Sequence, residues 1–399
     1  MFKNKYIIGI ALAILTGFSS CADLDLAPLG SPEAGEISEE RQAFLRLTAV
    51  YSVMKDFRYT WSMQCFGDVL SNDATYSGSS NDAQTFTLLE NYQYQADHTE
   101  ILNKYRYSYQ CINKANLIIR DMEMADDALF SKYNREQMIG EAKFIRAYTY
   151  FELVKTFGGV PCYTGVLDLD HERLGRASVE EIYSVIEQDL NDAVSVLPKK
   201  SEVANYESSY AGRITKGAAI AMQTRIYLYE KKYDEVKKAF EKFQNECGGE
   251  YSLVAPEDYA WQFSLDGEHC SSSILEVNMY VSSTQSSYNV NNGNRHVLMS
   301  MPRNMTIGFG CAQPTQALAD AYDAEGDVIR KKTTLLSTEE AIEIETAAKG
   351  DVAPVTDDRT GWYNRKLYLA PGQREENRGN NQPTNLRLIR LAEVYLNYA

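Results

Sequence analysis

The chain has 399 residues and the composition of an ordinary globular protein, with 44% hydrophobic and 24% charged residues. Its formal net charge of -15 would be repelled by nucleic-acid phosphates and anionic membrane surfaces, so both are excluded as partners. The 4 histidines have no metal-ligand spacing and the 7 cysteines form no C-x-x-C pair, so no metal or other cofactor is expected.

The first 20 residues have the pattern of a secretory signal. Lys3 and Lys5 precede an apolar run that ends at Phe18, and the run is shorter than the ~20 residues of a spanning helix. The letters FSSC at its end resemble the signal of bacterial lipoproteins, although Phe18 stands where leucine is usual. The sequence predicts a lipoprotein signal peptide over 1–20 and lipid attachment at Cys21, which would be the only membrane contact. Cleavage elsewhere would leave Cys21 an ordinary thiol.

Residues 21–36 contain prolines and glycines without sustained periodicity, which indicates a tether ahead of a folded part over 37–399. Apolar residues at helical spacing, with recognisable start and stop signals, then predict a series of helices. Their approximate bounds are Ser38–Phe57, Thr99–Met124, Arg135–Phe157, Val179–Leu197, Thr215–Glu230, Tyr233–Asn245, Pro314–Tyr322 and Ser337–Lys349.

Two of these helices form a tight pair, because only Lys231 and Lys232 separate them and the chain must turn back on itself. The pair resembles a tetratricopeptide unit. Its pattern R-x-Y-x-Y at 225–229 also occurs at 146–150, and a looser version occurs at 390–398. These intervals are too long for a regular array, so irregular helix pairs separated by insertions are expected.

Two regions lack helical periodicity. The segment Ser71–Gln84 reads as a polar loop, and the segment Tyr251–Ala312 reads as short strands and ordered loops around SILEVNMYV. Trp61 and Trp261 stand among apolar neighbours, so both are expected in the core. The six cysteines after Cys21 could form disulfides or remain buried free thiols, and the sequence leaves both open.

Five segments together resemble the SusD/RagB family of nutrient-binding outer-membrane lipoproteins. They occur in the family's order: GEAKFIRAYTYFELVKTFGGVP, RASVEEIYSVIEQDLNDAVSVLP, AGRITKGAAIAMQTRIYLYEKKYDEV, GCAQPTQALADAYDAEGDVIRKKT and LRLIRLAEVYLNYA. The resemblance implies a mainly α fold of irregular tetratricopeptide-like helix pairs, an α-α superhelix, with a loop-rich ligand-binding half that contains short strands. Family members usually continue past the last segment, so the chain is expected to be incomplete at its C-terminus.

No enzyme motif is present. The chain has no H-E-x-x-H, no G-x-S-x-G, no phosphate loop and no dinucleotide fingerprint. The stretch DAEGD at 323–327 has its glycine too early for a calcium loop and reads as a solvated turn. The resemblance agrees with this, since it implies binding without catalysis, and the protein is expected not to be an enzyme.

Sugars offer C–H faces to aromatic rings and hydroxyls to Asn, Asp, Arg and Gln, and family sites usually combine both. The first polar loop lies where the family places part of its site, and one aromatic precedes GCAQPT, where starch-binding relatives have one. The ligand-binding candidates from these loops are Asn72, Asp73, Tyr76, Tyr280, Tyr288, Asn289 and Phe309.

The resemblance implies an outer-membrane lipoprotein that faces outward and delivers oligosaccharides to a SusC-like TonB-dependent transporter. The glycan, whether starch, host or plant, is left open. One alternative is an oligopeptide-binding member of the same family. Another is a tetratricopeptide-type lipoprotein scaffold that binds proteins.

Overall fold

The structure is a computed structural model, and it describes residues 37–77, 86–167, 174–203, 212–281, 293–376 and 381–399. The signal peptide, Cys21 and the tether therefore lie outside the described residues. Residues 37–399 cluster as one compact unit. Most of the described chain is helical, which confirms the predicted mainly α class.

The helices, in chain order, are α1 (Glu40–Met54), α2 (Phe57–Gln64), α3 (Thr99–Met124), α4 (Arg135–Phe157), α5 (Val179–Val196), α6 (Lys200–Val203), α7 (Lys216–Tyr229), α8 (Tyr233–Glu246), α9 (Arg295–Ser300), α10 (Gln316–Ala324), α11 (Val328–Thr334), α12 (Thr338–Lys349) and α13 (Leu391–Tyr398). The strands are β1 (Ala74–Thr75), β2 (Ser273–Val277), β3 (Gln313–Pro314), β4 (Leu335–Ser337), β5 (Trp362–Asn364) and β6 (Leu386–Arg390).

Local capping chemistry explains why the predicted helix bounds agree with the structure. Ser178 and Glu181 form the predicted capping box at the start of α5, with the Ser178 hydroxyl accepting from the Glu181 backbone N at 3.1 Å. Gly158 ends α4 at φ 66°, a conformation that glycine adopts without strain. The predicted first helix instead divides in two, because the Asp56 side chain accepts from the backbone N of Arg58 and begins α2.

The core of the helical half lies around α4. This helix packs against α3 and α5 and is buried on nearly all sides, with Phe144, Tyr150 and Phe151 almost inaccessible to solvent. Each such side chain contributes about 1.5–3 kcal/mol by leaving water. Gly140 lets α4 and α5 approach closely, since a Cβ there would lie 2.5 Å from Val196 Cγ2.

The α7 and α8 helices form the predicted antiparallel pair, and Lys231 at φ 59° lies in the turn between them. The α13 helix packs against both. The rest of the described chain contains three two-stranded antiparallel ribbons, β1–β3, β2–β6 and β4–β5, as expected for a loop-rich half with short strands. Part of the predicted Pro314–Tyr322 helix is strand β3 instead.

Trp61 is buried as predicted, in a second apolar cluster with Val69, Tyr76 and Leu89. The prediction for Trp261 was wrong, because 45% of this residue is exposed. It stands in a 3-10 turn whose inward position is taken by Gln262, and the Gln262 side chain bonds the Tyr259 carbonyl at 3.0 Å. Among the described residues, no helix is long and apolar enough to cross a membrane.

Candidate functional site

The β1–β3 ribbon brings the first predicted loop against the chain before α10. Thr315 donates from its backbone N to the Asp73 carbonyl at 3.0 Å, and its hydroxyl donates to the Asn72 carbonyl. The Asp73 backbone N donates to the Ser71 hydroxyl at 3.1 Å. These bonds hold the backbone of the loop, while the side chains of Asn72 and Asp73 remain exposed. The Asn72 amide and the Asp73 carboxylate thus face solvent from a backbone that hydrogen bonds keep in place.

Tyr76 differs from the prediction that it presents its ring to a ligand. The ring is fully buried and stacks on Phe86 with centroids 4.0 Å apart. The Tyr76 carbonyl accepts from Arg359 Nη1 at 3.0 Å. The Tyr76 ring therefore belongs to the apolar cluster that contains Trp61, and it packs under the loop instead of facing solvent.

Phe309 lies close to this loop and is half-buried against the same apolar cluster. The Arg303 guanidinium lies 5.3 Å from the centre of its ring and donates from Nε to the Phe309 carbonyl at 3.1 Å. Arg303 also lies 3.5 Å from Asp357 Oδ2. Asp357 therefore positions the Arg303 guanidinium, and the guanidinium in turn stabilises the orientation of the Phe309 ring.

Three residues near Phe309 have positive φ values, and two of them, Ala312 and Asp357, are not glycines. Gly310, Ala312 and Asp357 have φ values of 67°, 51° and 61°. The Gln313 side chain ties them together, donating from Nε2 to the Gly310 carbonyl at 3.2 Å and the Asp357 carbonyl at 3.0 Å. Non-glycine residues in this conformation are unfavourable unless the surroundings impose it, and such positions concentrate at functional sites.

A charged pair adjoins the exposed loop. Asp68 lies in a π-helical turn at Cys65–Val69, and burial together with the nearby Asp73 raises the pKa of Asp68 to about 6. Burial, followed by the charge of Arg390, lowers the pKa of Lys366 to about 8, and Asp68 opposes that change. Both ionisable groups are therefore partly desolvated, as groups in a cleft are.

The ring of Phe263 completes this group. Lys366 Nζ lies 4.5 Å from the ring centre, and the Arg390 guanidinium lies 5.0 Å from it. We call Asp68, Asp73, Phe263, Lys366 and Arg390 the aromatic–charge cluster. Only Asp73 was predicted from sequence. A signal was available for Phe263, since Tyr259, Trp261 and Phe263 are aromatic residues at every second position.

Tyr280 lies elsewhere, at the rim of a cavity of about 400 Å³ between α1, β2 and the chain before α7. The residue is 63% exposed, and Phe44, Tyr51 and Lys55 also line the cavity. The structure therefore brings Asn72, Asp73, Tyr76 and Phe309 into one region and leaves Tyr280 apart from them. Tyr288 and Asn289 lie outside the described residues.

The described residues contain no group of three His, Cys, Asp or Glu side chains that could hold a metal ion. In the DAEGD stretch Asp323 and Ala324 are the last residues of α10, and only Glu325 and Gly326 form the predicted turn. Lys331 Nζ lies 2.6 Å from Asp323 Oδ2, and the Asp327 side chain begins α11. All six described cysteines are free thiols, which decides between the alternatives that the sequence left open.

A family model of SusD-like proteins, described as "Starch-binding associating with outer membrane", matches residues 45–228. A SusD-like protein of Bacteroides ovatus is 24% identical in an alignment that covers 100% of this chain and 71% of that protein. The SusD-like protein P25 of Formosa agariphila is 32% identical over 130 residues, which are 31% of this chain and 23% of the relative. That match thus spans less than a quarter of the length of the relative.

Solved structures show the same fold. A laminarin-binding SusD-like protein superimposes with a TM-score of 0.77 at 24% identity, over 91% of this chain and 80% of the other. Surface glycan-binding protein A of Bacteroides thetaiotaomicron, in complex with laminarihexaose, has a TM-score of 0.75 at 19% identity, over 90% of this chain and 78% of the other.

Proposed function

Because the chain belongs to the SusD-like family, we propose that it binds oligosaccharides without transforming them and passes them to a SusC-like TonB-dependent transporter. The aromatic–charge cluster and the neighbouring Asn72 and Phe309 are the proposed binding surface. Laminarin oligosaccharides are the first ligands to test, because two structural neighbours are named for laminarin or were solved with laminarihexaose.

One observation carries the proposal: a half-buried aromatic ring lies beside charged groups of both signs. Lys366 and Arg390 lie beside the Phe263 ring, Asp68 adjoins Lys366, and Asp73 adjoins Asp68. Sugar hydroxyls are donors and acceptors at once, so they pair with carboxylates and cations alike. A sugar ring also has an apolar face for an aromatic anchor, and rigid rings lose little entropy on binding.

The exposed Trp261 extends this surface. Its ring stands on the same 3-10 turn as Phe263, and Tyr259 packs edge-on against Phe263 with centroids 5.6 Å apart. Tyr259, Trp261 and Phe263 thus form a row of aromatic residues at a hydrated surface. Such a row can contact several linked sugar units, whereas a single small molecule would contact only one ring. A modest affinity is expected, since delivery to a transporter requires release.

Location in the outer membrane, lipid attachment at Cys21 and exposure to the outside belong to the same proposal. They are supported by the sequence pattern before Cys21 and by the outer-membrane association in the description of the matching family. Mass spectrometry of the mature N-terminus should find an acylated Cys21, and an unmodified thiol there would remove the anchor. Affinity purification from the native membrane should recover a TonB-dependent barrel, and its consistent absence would contradict the partner.

Calorimetric titration of the purified protein with a glycan panel tests binding. Asp73→Asn and Trp261→Ala should each weaken binding about tenfold, which corresponds to about 1.4 kcal/mol. Asp234→Asn and Tyr233→Ala, exposed residues at the start of α8, are matched controls that should bind like the wild type. Binding of peptides with no binding of any glycan would overturn the sugar assignment. Equal binding by the site variants and controls would overturn the proposed surface.

A further inference from the structure

A second cavity, of about 830 Å³, lies on the helical side of the molecule. It opens between the ends of α2 and α4, the start of α3, helix α7 and strand β6, and Phe66 and Gly67 of the π-helical turn also line it. Its volume falls within the range of about 300–1,000 Å³ that is typical of small-molecule sites. We call it the cationic cavity, for the charges that line it.

In the wall of the cationic cavity, two lysines form ion pairs with one glutamate. Lys104 Nζ lies 2.9 Å from Glu152 Oε2, and Lys155 Nζ lies 2.7 Å from Glu152 Oε1. The two ammonium groups more than offset burial and lower the pKa of Glu152 to about 2, so this carboxylate stays ionised at any ordinary pH. The trio therefore carries one excess positive charge, in a protein whose formal net charge is -15.

Two cations in the lining, Lys104 and Arg387, have side-chain N–H donors without a hydrogen-bond acceptor among the described residues. Lys104, whose side chain is 1% exposed, has three N–H donors, and Glu152 is its only hydrogen-bond acceptor within the described chain. Arg387 Nε has no hydrogen-bond acceptor among the described residues, since Glu276 Oε1 lies 3.6 Å away. Buried donors without acceptors are unfavourable, so an oxygen atom bound at the Lys104 ammonium would be stabilising. The unpaired Arg387 Nε lies on the side of Glu276 and adds only positive charge to the wall.

Aromatic rings form much of the remaining wall. Tyr94 and Tyr229 are exposed at the surface, while Tyr148 lies deep and Phe157 is half-buried. The same cavity thus offers flat apolar faces together with an excess of cationic donors. A ligand that fits both has apolar faces, many oxygen atoms and a negative charge.

We propose that the cationic cavity is a second binding site, which takes an oligosaccharide that carries an anionic group. This inference rests on the proposed function in one respect: it takes the ligand to be a saccharide. The anionic group would lie against Lys104 and Lys155, and the sugar rings against Tyr94 and Tyr229. A carboxylate and a sulfate ester satisfy the same donors, and the experiment separates them.

The test is calorimetric titration of the full protein with three probes of matched length: an oligogalacturonate, a sulfated oligosaccharide and a neutral oligosaccharide. We expect at least one acidic probe to bind tenfold or more tightly than the neutral one at low salt. Its affinity should fall steeply with added NaCl, since the attraction is between charges. The acidic probe that binds more tightly identifies the anionic group.

Variants locate the site. The Lys155 side chain is 35% exposed, and Lys155→Gln removes the excess positive charge of the trio. This variant should lose the preference for the acidic probe. Lys155→Arg keeps the charge and should keep the preference. Lys238→Gln, at an exposed lysine of α8 that pairs with Glu235, is the matched control and should bind like the wild type. Circular dichroism and thermal unfolding check that each variant is folded. Equal affinity for acidic and neutral probes, or a preference unchanged in Lys155→Gln, would overturn the inference.

The two proposals fail separately. Asp73→Asn changes the aromatic–charge cluster and should leave the acidic preference intact, while Lys155→Gln should leave binding of neutral laminarihexaose intact. Loss of the acidic preference in Asp73→Asn alone would place the acidic ligand in the aromatic–charge cluster and overturn the second site. Absence of neutral binding, with a Lys155-dependent acidic preference, would support the cationic cavity and contradict the neutral-glycan surface.

Discussion

Arg146 of α4 and Asp189 of α5 form a two-pronged ion pair inside the helical core, with Nε to Oδ2 at 2.7 Å and Nη2 to Oδ1 at 2.6 Å. Arg225 of α7 repeats the arrangement with both carboxylate oxygens of Glu393 in α13. Both arginines begin the R-x-Y-x-Y pattern that the sequence repeats. The repeat is therefore structural, since each arginine ties its helix to an acidic residue of a later helix.

Removing one partner of the first pair should destabilise the protein strongly. In Arg146→Met, Asp189 would remain buried without its hydrogen-bonded cation, and the free energy of unfolding should fall by about 3–5 kcal/mol. Urea denaturation measures this change. Adding Asp189→Leu to Arg146→Met should restore part of the loss, because no buried charge remains. Lys238→Met removes an exposed ion pair and should leave the midpoint unchanged.

His296 should make the protein less stable in mild acid. Burial lowers its pKa to about 4 from 6.5, and its ring nitrogens face Thr60 Oγ1 at 2.9 Å and Gln64 Oε1 at 3.3 Å. Between these pH values the unfolded chain binds a proton that the folded chain does not. The free energy of unfolding should therefore fall as pH drops from 6.5 to 4, by up to about 3 kcal/mol.

The difference between the wild type and His296→Gln isolates this contribution. Asp68 acts with the opposite sign, because a raised carboxyl pKa favours the folded state as pH falls, but it is common to both proteins. Unfolding measured by urea at several pH values should show a shallower loss of stability in His296→Gln. Identical slopes in the two proteins would contradict the assignment to His296.

Gly308 should not accept a side chain. A Cβ at this position would lie 2.0 Å from the Met301 carbonyl oxygen, so the backbone on either side of Phe309 would have to move. We expect Gly308→Ala to lower the free energy of unfolding by about 1–3 kcal/mol, as overpacking does. Gly175→Ala adds the same methyl group in open space and is the matched control. Equal thermal unfolding temperatures for the two variants would contradict the close approach.

Binding to the aromatic–charge cluster should weaken in mild acid. With a pKa of about 6, Asp68 gains a proton as pH falls through 6 and loses one carboxylate acceptor for sugar hydroxyls. Wild-type affinity for a neutral glycan should fall several-fold between pH 7 and pH 5. In Asp68→Asn the same titrations should give a weaker and flatter profile, and an unchanged pH profile would exclude Asp68 from the site.

The cysteines should differ in reactivity according to burial. Cys65, Cys111, Cys247 and Cys311 are buried, and burial raises the pKa of the Cys111 thiol to about 11. Alkylation of the native protein should therefore be slow at these four positions and faster at the half-buried Cys162 and Cys270. Peptide mass spectrometry after timed alkylation checks the order. Recovery of a disulfide-linked peptide among the six would contradict the free thiols.

The sequence predicted the long helices closely because their signals are local. Thr99–Met124 and Arg135–Phe157 have the predicted bounds, and the Ser178 capping box forms as expected. Apolar spacing, capping residues and terminal glycines all act within a few residues of one another. Short elements were missed for the same reason: α9 and α11 have only one or two turns, and β1 has two residues.

The site depended on contacts between distant segments. Asn72 and Asp73 were predicted because they stand in a polar loop, and their side chains are exposed, but Tyr76 in the same loop is buried under Phe86. No local pattern linked Asp68 to Lys366, because their proximity arises only when the π-helical turn meets the chain after β5.

The sequence by itself thus determined the helical class, because local apolar spacing specifies helices, and it carried the five segments that resemble the SusD/RagB family. Only the tertiary structure decided which polar and aromatic residues share a surface. Trp261 illustrates the difference: its apolar neighbours predicted burial, yet Gln262 occupies the inward position, and the indole is left beside the aromatic–charge cluster. Burial is a property of the packed chain, since it depends on which neighbours the fold supplies.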